Sequence, residues 1–341
     1  MRIAVISTGD RSAVLRRTIS RREWEGYAEN AADIAASLTA LGHDVVRVTD
    51  GRGLNDALDE THPQLAWVCS GGIQGRDPAT HLPGLLEMLG LDYVGSPPLA
   101  AGLADNKARA KALVRDAGVP TPDFALVRAG ISPAACGTPA YPVVVKPVLG
   151  MCSCGVRRAD TPDGLERAVA LLQQRYRDEV LIERYVEGID VTMPVLEVGN
   201  TVRCLPALQR FFAGRNDPAY PHFDLPHPRS ELREGAAMPA ALEGVQLDAL
   251  RAMARTAFTV LGLRHCARFD FRVAASGVWF LEANHKPDLT RASLFARSAA
   301  LAGLTHPELI GLILSAARRA GAVRRQPGAR VARRRTRLRL Q

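Results

Sequence analysis

The chain has 341 residues, 47 % of them hydrophobic and 23 % charged, with six cysteines and a formal net charge of +9. That length supports two or three packed domains of about 100–150 residues each, with no need of disulfides or metals to hold a core together. The composition excludes a disordered or fibrous chain, and no apolar run reaches the roughly 18 residues of a membrane-crossing helix, so no membrane partner is expected.

The charge is concentrated at one end. Residues 324–341 carry eight arginines and no acid, and subtracting those eight from +9 leaves +1 for the body. The stretch 323–341 reads as a solvated, disordered tail, and nucleic acid is expected to meet this chain through that tail or not at all. Only Cys152 and Cys154 lie close among the cysteines, and their spacing matches no zinc or disulfide framework. A reduced, cytoplasmic protein is the expectation.

In chain order, Arg2–Ser7 is an apolar run that reads as a buried strand, not a signal peptide. A helical pattern covers 27–41 and closes at Gly42. Strands follow at 44–48 and 65–69, then an amphipathic stretch over 81–89. This alternation predicts a parallel sheet faced by helices, ending near residue 95. Residues 97–117 read as one helix, stopped by Pro120 and Pro122. A small α+β domain is expected over 119–187, with strands at 141–148 and 180–186 around a helix at 162–175. The last region, 188–322, shows antiparallel strands at 190–198, 201–211, 266–273 and 278–283, with Gly199-Asn200 as a hairpin signal. Residues 212–237 read as a long loop, and helices are expected over 242–261, 291–302 and 307–320.

Three stretches carry chemistry. Lys146 ends a β-branched run, Val143-Val-Val-Lys146-Pro147, and a Gly/Cys/Ser loop follows through Gly155. Burying an ammonium is costly unless it is paired, and small-residue loops let backbone N–H groups approach phosphate. A plain turn with a surface lysine is the alternative. Glu183 ends the apolar strand Val180-Leu-Ile-Glu183, where a carboxylate and strand-end backbone suit adenine; Asp190 is spaced to accept from ribose hydroxyls. A linker with solvated acids is the alternative there. Arg268-Phe-Asp270-Phe-Arg272 and Glu282-Ala-Asn284 each place alternate residues on one strand face. Paired, the two strands gather Asp270, Glu282 and Asn284 as hard oxygen ligands suited to Mg²⁺, with Arg268 beside them for phosphate or oxyanion charge. The bland alternative is a solvated face with salt bridges.

The order Lys107, Lys146-Pro147, Glu183, Asp190, Arg268-x-Asp270, Glu282-x-Asn284 resembles the ATP-grasp superfamily, and within it the D-alanine–D-alanine ligase family. The likeness spans about residues 65–320 and includes Leu85–Ser96 and Asn106-Lys107. It implies an α/β and α+β ATP-grasp fold, with an N-terminal parallel-sheet domain (1–95), a helical connector (96–118) and two α+β domains that sandwich ATP. It implies ATP and two Mg²⁺ ions, with Mn²⁺ able to substitute, and small amino-acid-like substrates; homodimers are common in such a family. Lys107 and Lys146 would hold phosphates under the 148–155 loop, and Glu183, Arg184, Tyr185 and Val186 would bind adenine. Asp190 would take the ribose, Asp270, Glu282 and Asn284 the metal. Arg268 would stabilise the tetrahedral intermediate, and Ser293 would help hold the second amino acid's carboxylate.

The sequence departs from that pattern mainly around the substrates. The family's Gly-Gly-x-Ser turn and downstream Glu have no clear counterpart; Glu25 and Glu29 are the candidates to hold the first ammonium. The phosphate loop reads Gly150-Met-Cys152-Ser153-Cys154-Gly155, with Cys152 where the family has its first serine. After Asn284 the run is His285-Lys286-Pro287-Asp288-Leu289-Thr290, so Asp288 stands where a glycine backbone meets the oxyanion, and Lys286 is poised to neutralise it. His227 and Arg229 are the candidates to replace a lysine of the long loop. The expectation is an ATP-dependent carboxylate–amine ligase that forms a peptide or amide bond through an acyl-phosphate, with substrates other than two D-alanines. An intramolecular cyclising ligase is the alternative enzyme, and a nucleotide-binding protein without catalysis the alternative from another class.

Overall fold

The structure, a computed structural model, describes residues 1–9, 27–72, 77–149, 155–212 and 234–324. Three sheets organise it. The first is parallel, in the order β2-β1-β3-β4, from β1 (Arg2–Ser7), β2 (Asp44–Thr49), β3 (Leu65–Val68) and β4 (Tyr93–Val94). Its centre is apolar on both faces because helices cover both. Ile3 and Val5 meet Ile34 and Leu38 of α1 (Tyr27–Ala40); Ala4 and Ile6 meet Leu54 and Leu58 of α2 (Leu54–Thr61) and Leu82 and Leu86 of α3 (His81–Met88). β1 connects outward to β2 on one side while β3 lies on the other. The strand order therefore reverses beside the carboxyl ends of β1 and β3, where open α/β sheets bind ligands.

The stretch expected as one helix is two, α4 (Pro98–Asp105) and α5 (Lys107–Asp116). Asn106 breaks it with φ −89° and ψ 101°, and its side chain accepts from the Arg109 amide at 3.0 Å. Asparagine favours this capping geometry over a helix interior. The break makes Lys107 the first residue of a new helix.

The second sheet is antiparallel, β5-β8-β6-β7, from β5 (Phe124–Val127), β6 (Val143–Pro147), β7 (Arg157–Ala159) and β8 (Val180–Arg184). Val143, Val145, Val180 and Ile182 pack under Leu165, Val169 and Leu172 of α6 (Pro162–Tyr176). Strand alternation therefore turns Lys146 and Glu183 to the opposite face.

The third sheet has six strands, with β12-β11-β9-β13-β14 as its path and β10 also on β9. They are β9 (Ile189–Val198), β10 (Thr201–Cys204), β11 (Leu208–Phe212), β12 (Glu234–Pro239), β13 (Cys266–Ala274) and β14 (Gly277–Asn284). The single strand expected over 201–211 is split at Leu205-Pro206-Ala207, because proline has no N–H for the ladder. The end of the expected loop, Glu234–Pro239, pairs with β11 instead. One face buries Val191, Met193, Phe269 and Phe271 under Leu250, Ala254 and Phe258 of α7 (Gly244–Val260). The helix expected from 291 starts later, as α8 (Leu294–Leu301), because Ser293 caps it. Finally α9 (His306–Arg324) carries Leu309 and Ile313 into the core it shares with β1 and α1, tying the first sheet to the third. Among the described residues no single helix is long and apolar enough to cross a membrane.

Candidate active site

The polar face of the third sheet gathers around Asp270. In the antiparallel register Asp270 stands opposite Thr192 of β9 and Glu282 of β14, and Arg268 opposite Asn284. Arg268 grips the Asp270 carboxylate with two bonds, Nε to Oδ1 at 3.0 Å and Nη2 to Oδ2 at 2.9 Å. Thr192 Oγ1 donates to Oδ1 at 2.7 Å, and Asn284 Nδ2 lies 3.4 Å from Oδ2. Arg210 of β11 adds a guanidinium 3.6 Å from Oδ2. Burial alone would push this carboxyl up, but Arg268 and then Arg210 outweigh it and hold it down at about 2. A bulge at Leu281 lets Glu282 stay opposite Asp270 while Phe280 stays opposite Phe271 in the core.

The second sheet turns a charged pair toward this face. Lys146 Nζ lies 3.2 Å from Glu183 Oε2, and Lys111 Nζ of α5 lies 2.7 Å from the same oxygen. Lys111 is fully buried. Burial lowers its ammonium to about 8 despite the opposing pull of Glu183. Burial would raise the Glu183 carboxyl, but the two ammoniums outweigh it and hold it below the usual carboxylate range. One turn before Lys111, Lys107 reaches the third sheet, with Nζ 3.4 Å from Glu282 Oε2. Lys107 and Lys111 share one face of α5 at a spacing of four, so one helix sends a cation to each sheet.

These residues fit a nucleotide and a hard divalent cation. Asp270, Glu282 and Asn284 offer two carboxylates and an amide oxygen on adjacent strands. Among the described residues no group of three or more His, Cys, Asp or Glu could hold a metal by itself. A cation here would take part of its shell from phosphate and water, as Mg²⁺ commonly does.

The D-ala D-ala ligase C-terminus family matches residues 113–315, more than half of the chain. The chain belongs to the D-alanine–D-alanine ligase-like ATP-grasp family. It is 32 % identical over 293 residues to the D-alanine–D-alanine ligase of Syntrophotalea carbinolica, covering 83 % of this chain and 88 % of that one. It is 31 % identical over 334 residues to the uncharacterized protein y4sG of Sinorhizobium fredii, covering 94 % and 97 %. In fold it is similar to the D-alanine–D-alanine ligase from Bacillus anthracis solved with ATP, with a TM-score of 0.75, 22 % identity and coverage of 95 % and 99 %. The fold class read from the sequence is the one observed, and the enzyme is an ATP-grasp carbon–nitrogen ligase that uses ATP.

The remaining sequence candidates of this ligase fall into three groups. Around the start of β9, Asp190 pairs with Arg272 at 3.0 Å across the β9–β13 ladder, and Arg272 Nη1 also donates to Gly188 O at 3.2 Å. Tyr185 lies under two guanidiniums, Arg158 at 4.7 Å and Arg272 at 5.6 Å, and Arg184 lies over Trp279 at 4.9 Å. Val186 is buried beside them. Beyond β14, Lys286 Nζ donates to Ser70 O at 2.7 Å, bridging the loop after β14 to the carboxyl end of β3. Asp288 is exposed and its carboxylate accepts from Thr290 N at 2.9 Å. The Ser293 hydroxyl caps α8 through Ala296 N at 3.1 Å. Glu29 is exposed on the first turn of α1. The third group, Glu25, Cys152, Ser153, His227 and Arg229, lies outside the described residues.

Sequence reasoning missed four contributors. Lys111 was signalled by its spacing from Lys107 and by the small residues Ala108 and Ala110 beside it, both of which are buried. Arg210 had no signal before the β11–β9 pairing was known. Asp50 and Ser70 form a clip at the strand-order reversal: Gly9 N donates to Asp50 Oδ1 at 2.8 Å, Ser70 Oγ donates to Asp50 Oδ2, and Gly72 N donates to Ser70 Oγ at 3.0 Å. Their positions at the ends of β2 and β3 were the available cue.

Proposed function

We propose that this ligase joins two amino-acid substrates through an acyl-phosphate and that at least one of them is not D-alanine. The observation that supports the chemistry is the convergence of Lys107, Lys146 and Arg268 with Asp270, Glu282 and Asn284 between two sheets. Lys107 and Lys146 hold ATP phosphates, Glu183 accepts from the adenine amine, and Asp190 accepts from ribose. Asp270, Glu282 and Asn284 would hold the magnesium of the nucleotide, two ions with Mn²⁺ as a substitute, and the metal would neutralise phosphate charge there. A substrate carboxylate oxygen bonds to the γ-phosphorus as ADP departs. The second substrate's amine then bonds to the acyl carbon, the C–O bond to phosphate breaks, and the amine loses a proton. Arg268 faces the oxyanion of that second step.

The substrate reading rests on the loop after β14. Asp288 stands where the resembling pattern has glycine, and an acid there disfavours a bare carboxylate. Lys286 is turned to Ser70 O, at 2.7 Å. A single methyl group in a pocket shifts selectivity by only about 1–3 kcal/mol, whereas a charge at the acceptor site changes the class of acceptor. The test is phosphate release from Mg·ATP across single and paired L- and D-amino acids, with product masses. A pair other than two D-alanines should stimulate most and give a product one water lighter than their sum. Highest turnover with D-alanine alone would overturn the substrate reading and leave the ligase reading standing. A dehydrated product from a single molecule would establish the cyclising alternative.

A further inference from the structure

Lys111 takes no part in the chemistry proposed above, yet its side chain is fully buried. An ammonium has three donors. Lys111 meets the Glu183 carboxylate at 2.7 Å and Phe280 O at 3.2 Å, and it donates to Thr121 Oγ1. Thr121 Oγ1 in turn donates to Phe280 O at 2.9 Å. Those partners belong to β8 of the second sheet, β14 of the third, and the segment between α5 and β5. A single side chain thus joins both sheets that face the nucleotide, and Phe280 lies two residues before Glu282 on β14.

Charge gives this contact its consequence. Glu183 is one buried carboxylate between two ammoniums, Lys111 at 2.7 Å and Lys146 at 3.2 Å. With Lys111 present, the carboxylate is neutralised at the shorter distance and the cluster keeps one positive charge in excess. Without Lys111, Lys146 would be the sole counter-charge of a buried acid, and a phosphate could reach it only by separating that pair.

We propose that Lys111 is a positioning residue of the nucleotide site, which holds Glu183 so that the Lys146 ammonium is left for phosphate. The inference rests on the placement of ATP phosphates at Lys146. It predicts a loss selective for the charged part of the nucleotide. Lys111→Met keeps the length and removes the charge. Titration of the full chain with Mg·AMP-PNP and, separately, with adenosine reads the two parts. For Lys111→Met the dissociation constant for Mg·AMP-PNP should rise by about tenfold or more, the factor that ~1.4 kcal/mol represents, while that for adenosine, which meets Glu183 but not the Lys146 ammonium, rises by clearly less. Thr121→Val removes one anchor of the ammonium and should shift the same ratio in the same direction by less; it decides the matter should Lys111→Met not fold. Equal weakening of both ligands, or no change in either, would show Lys111 to be a core residue only and overturn the proposal. Wild-type chain that binds adenosine and Mg·AMP-PNP equally well would instead remove the phosphate site on which the inference stands.

Discussion

Asp270→Asn should lower Mg·ATP-dependent phosphate release by at least about 10²-fold, the scale set by removing a group that organises charge in a transition state. The substitution keeps shape and takes away the negative charge on which Arg268, Arg210 and Thr192 converge. It also has a pH signature. The carboxyl is held at about 2 in the folded chain against an ordinary value of 3.8. A depressed carboxylate adds stability above the unfolded value and loses it as pH falls toward the folded one. The wild-type chain should therefore carry a contribution on the order of 2 kcal/mol at neutral pH that disappears between about pH 4 and pH 2. Urea midpoints of the two proteins should differ at pH 7 and converge toward pH 2. Unchanged turnover in Asp270→Asn, with correct folding, would remove Asp270 from the chemistry.

Glu183→Ala should be among the most destabilising single changes in the molecule. It leaves the ammoniums of Lys111 and Lys146 buried without the carboxylate that faces both. Removing one side of a buried ion pair costs about 3–5 kcal/mol, a large share of a typical folding free energy. The size of that loss depends on the orphaned charge at Lys111, so Glu183→Ala with Lys111→Met should be more stable than Glu183→Ala alone. Two losses that simply add, read from urea midpoints, would mean that the pair does not interact.

Much of this architecture was legible from local pattern. The unbroken apolar run in Arg2–Ser7 reports a strand covered on both faces, alternation in Arg268–Arg272 reports which face meets a core, and both depend on neighbours one or two residues away. The carboxylates of β13 and β14 were legible for the same reason, since a hairpin fixes their register. What was hidden depends on contacts distant in sequence. Lys111 meets Phe280 and Glu183, 169 and 72 residues away, and no periodicity reports such a meeting. Arg210 reaches Asp270 only because β11 and β13 flank β9. The break at Asn106 was overlooked for a different reason: helical periodicity on both sides of a cap looks continuous unless the capping side chain is weighed. Glu183, read from sequence as an adenine acceptor, is the shared counter-ion of two lysines in the structure, a role that spacing along one strand could not reveal.

The central claim is the acyl-phosphate route, and oxygen transfer tests it most directly. The amino acid that supplies the carboxylate is prepared with both carboxylate oxygens as ¹⁸O and turned over with Mg·ATP and its amine partner. The account predicts one labelled oxygen in each phosphate released, because the oxygen that attacks phosphorus leaves with it. Unlabelled phosphate accompanying full formation of the amide product would contradict it.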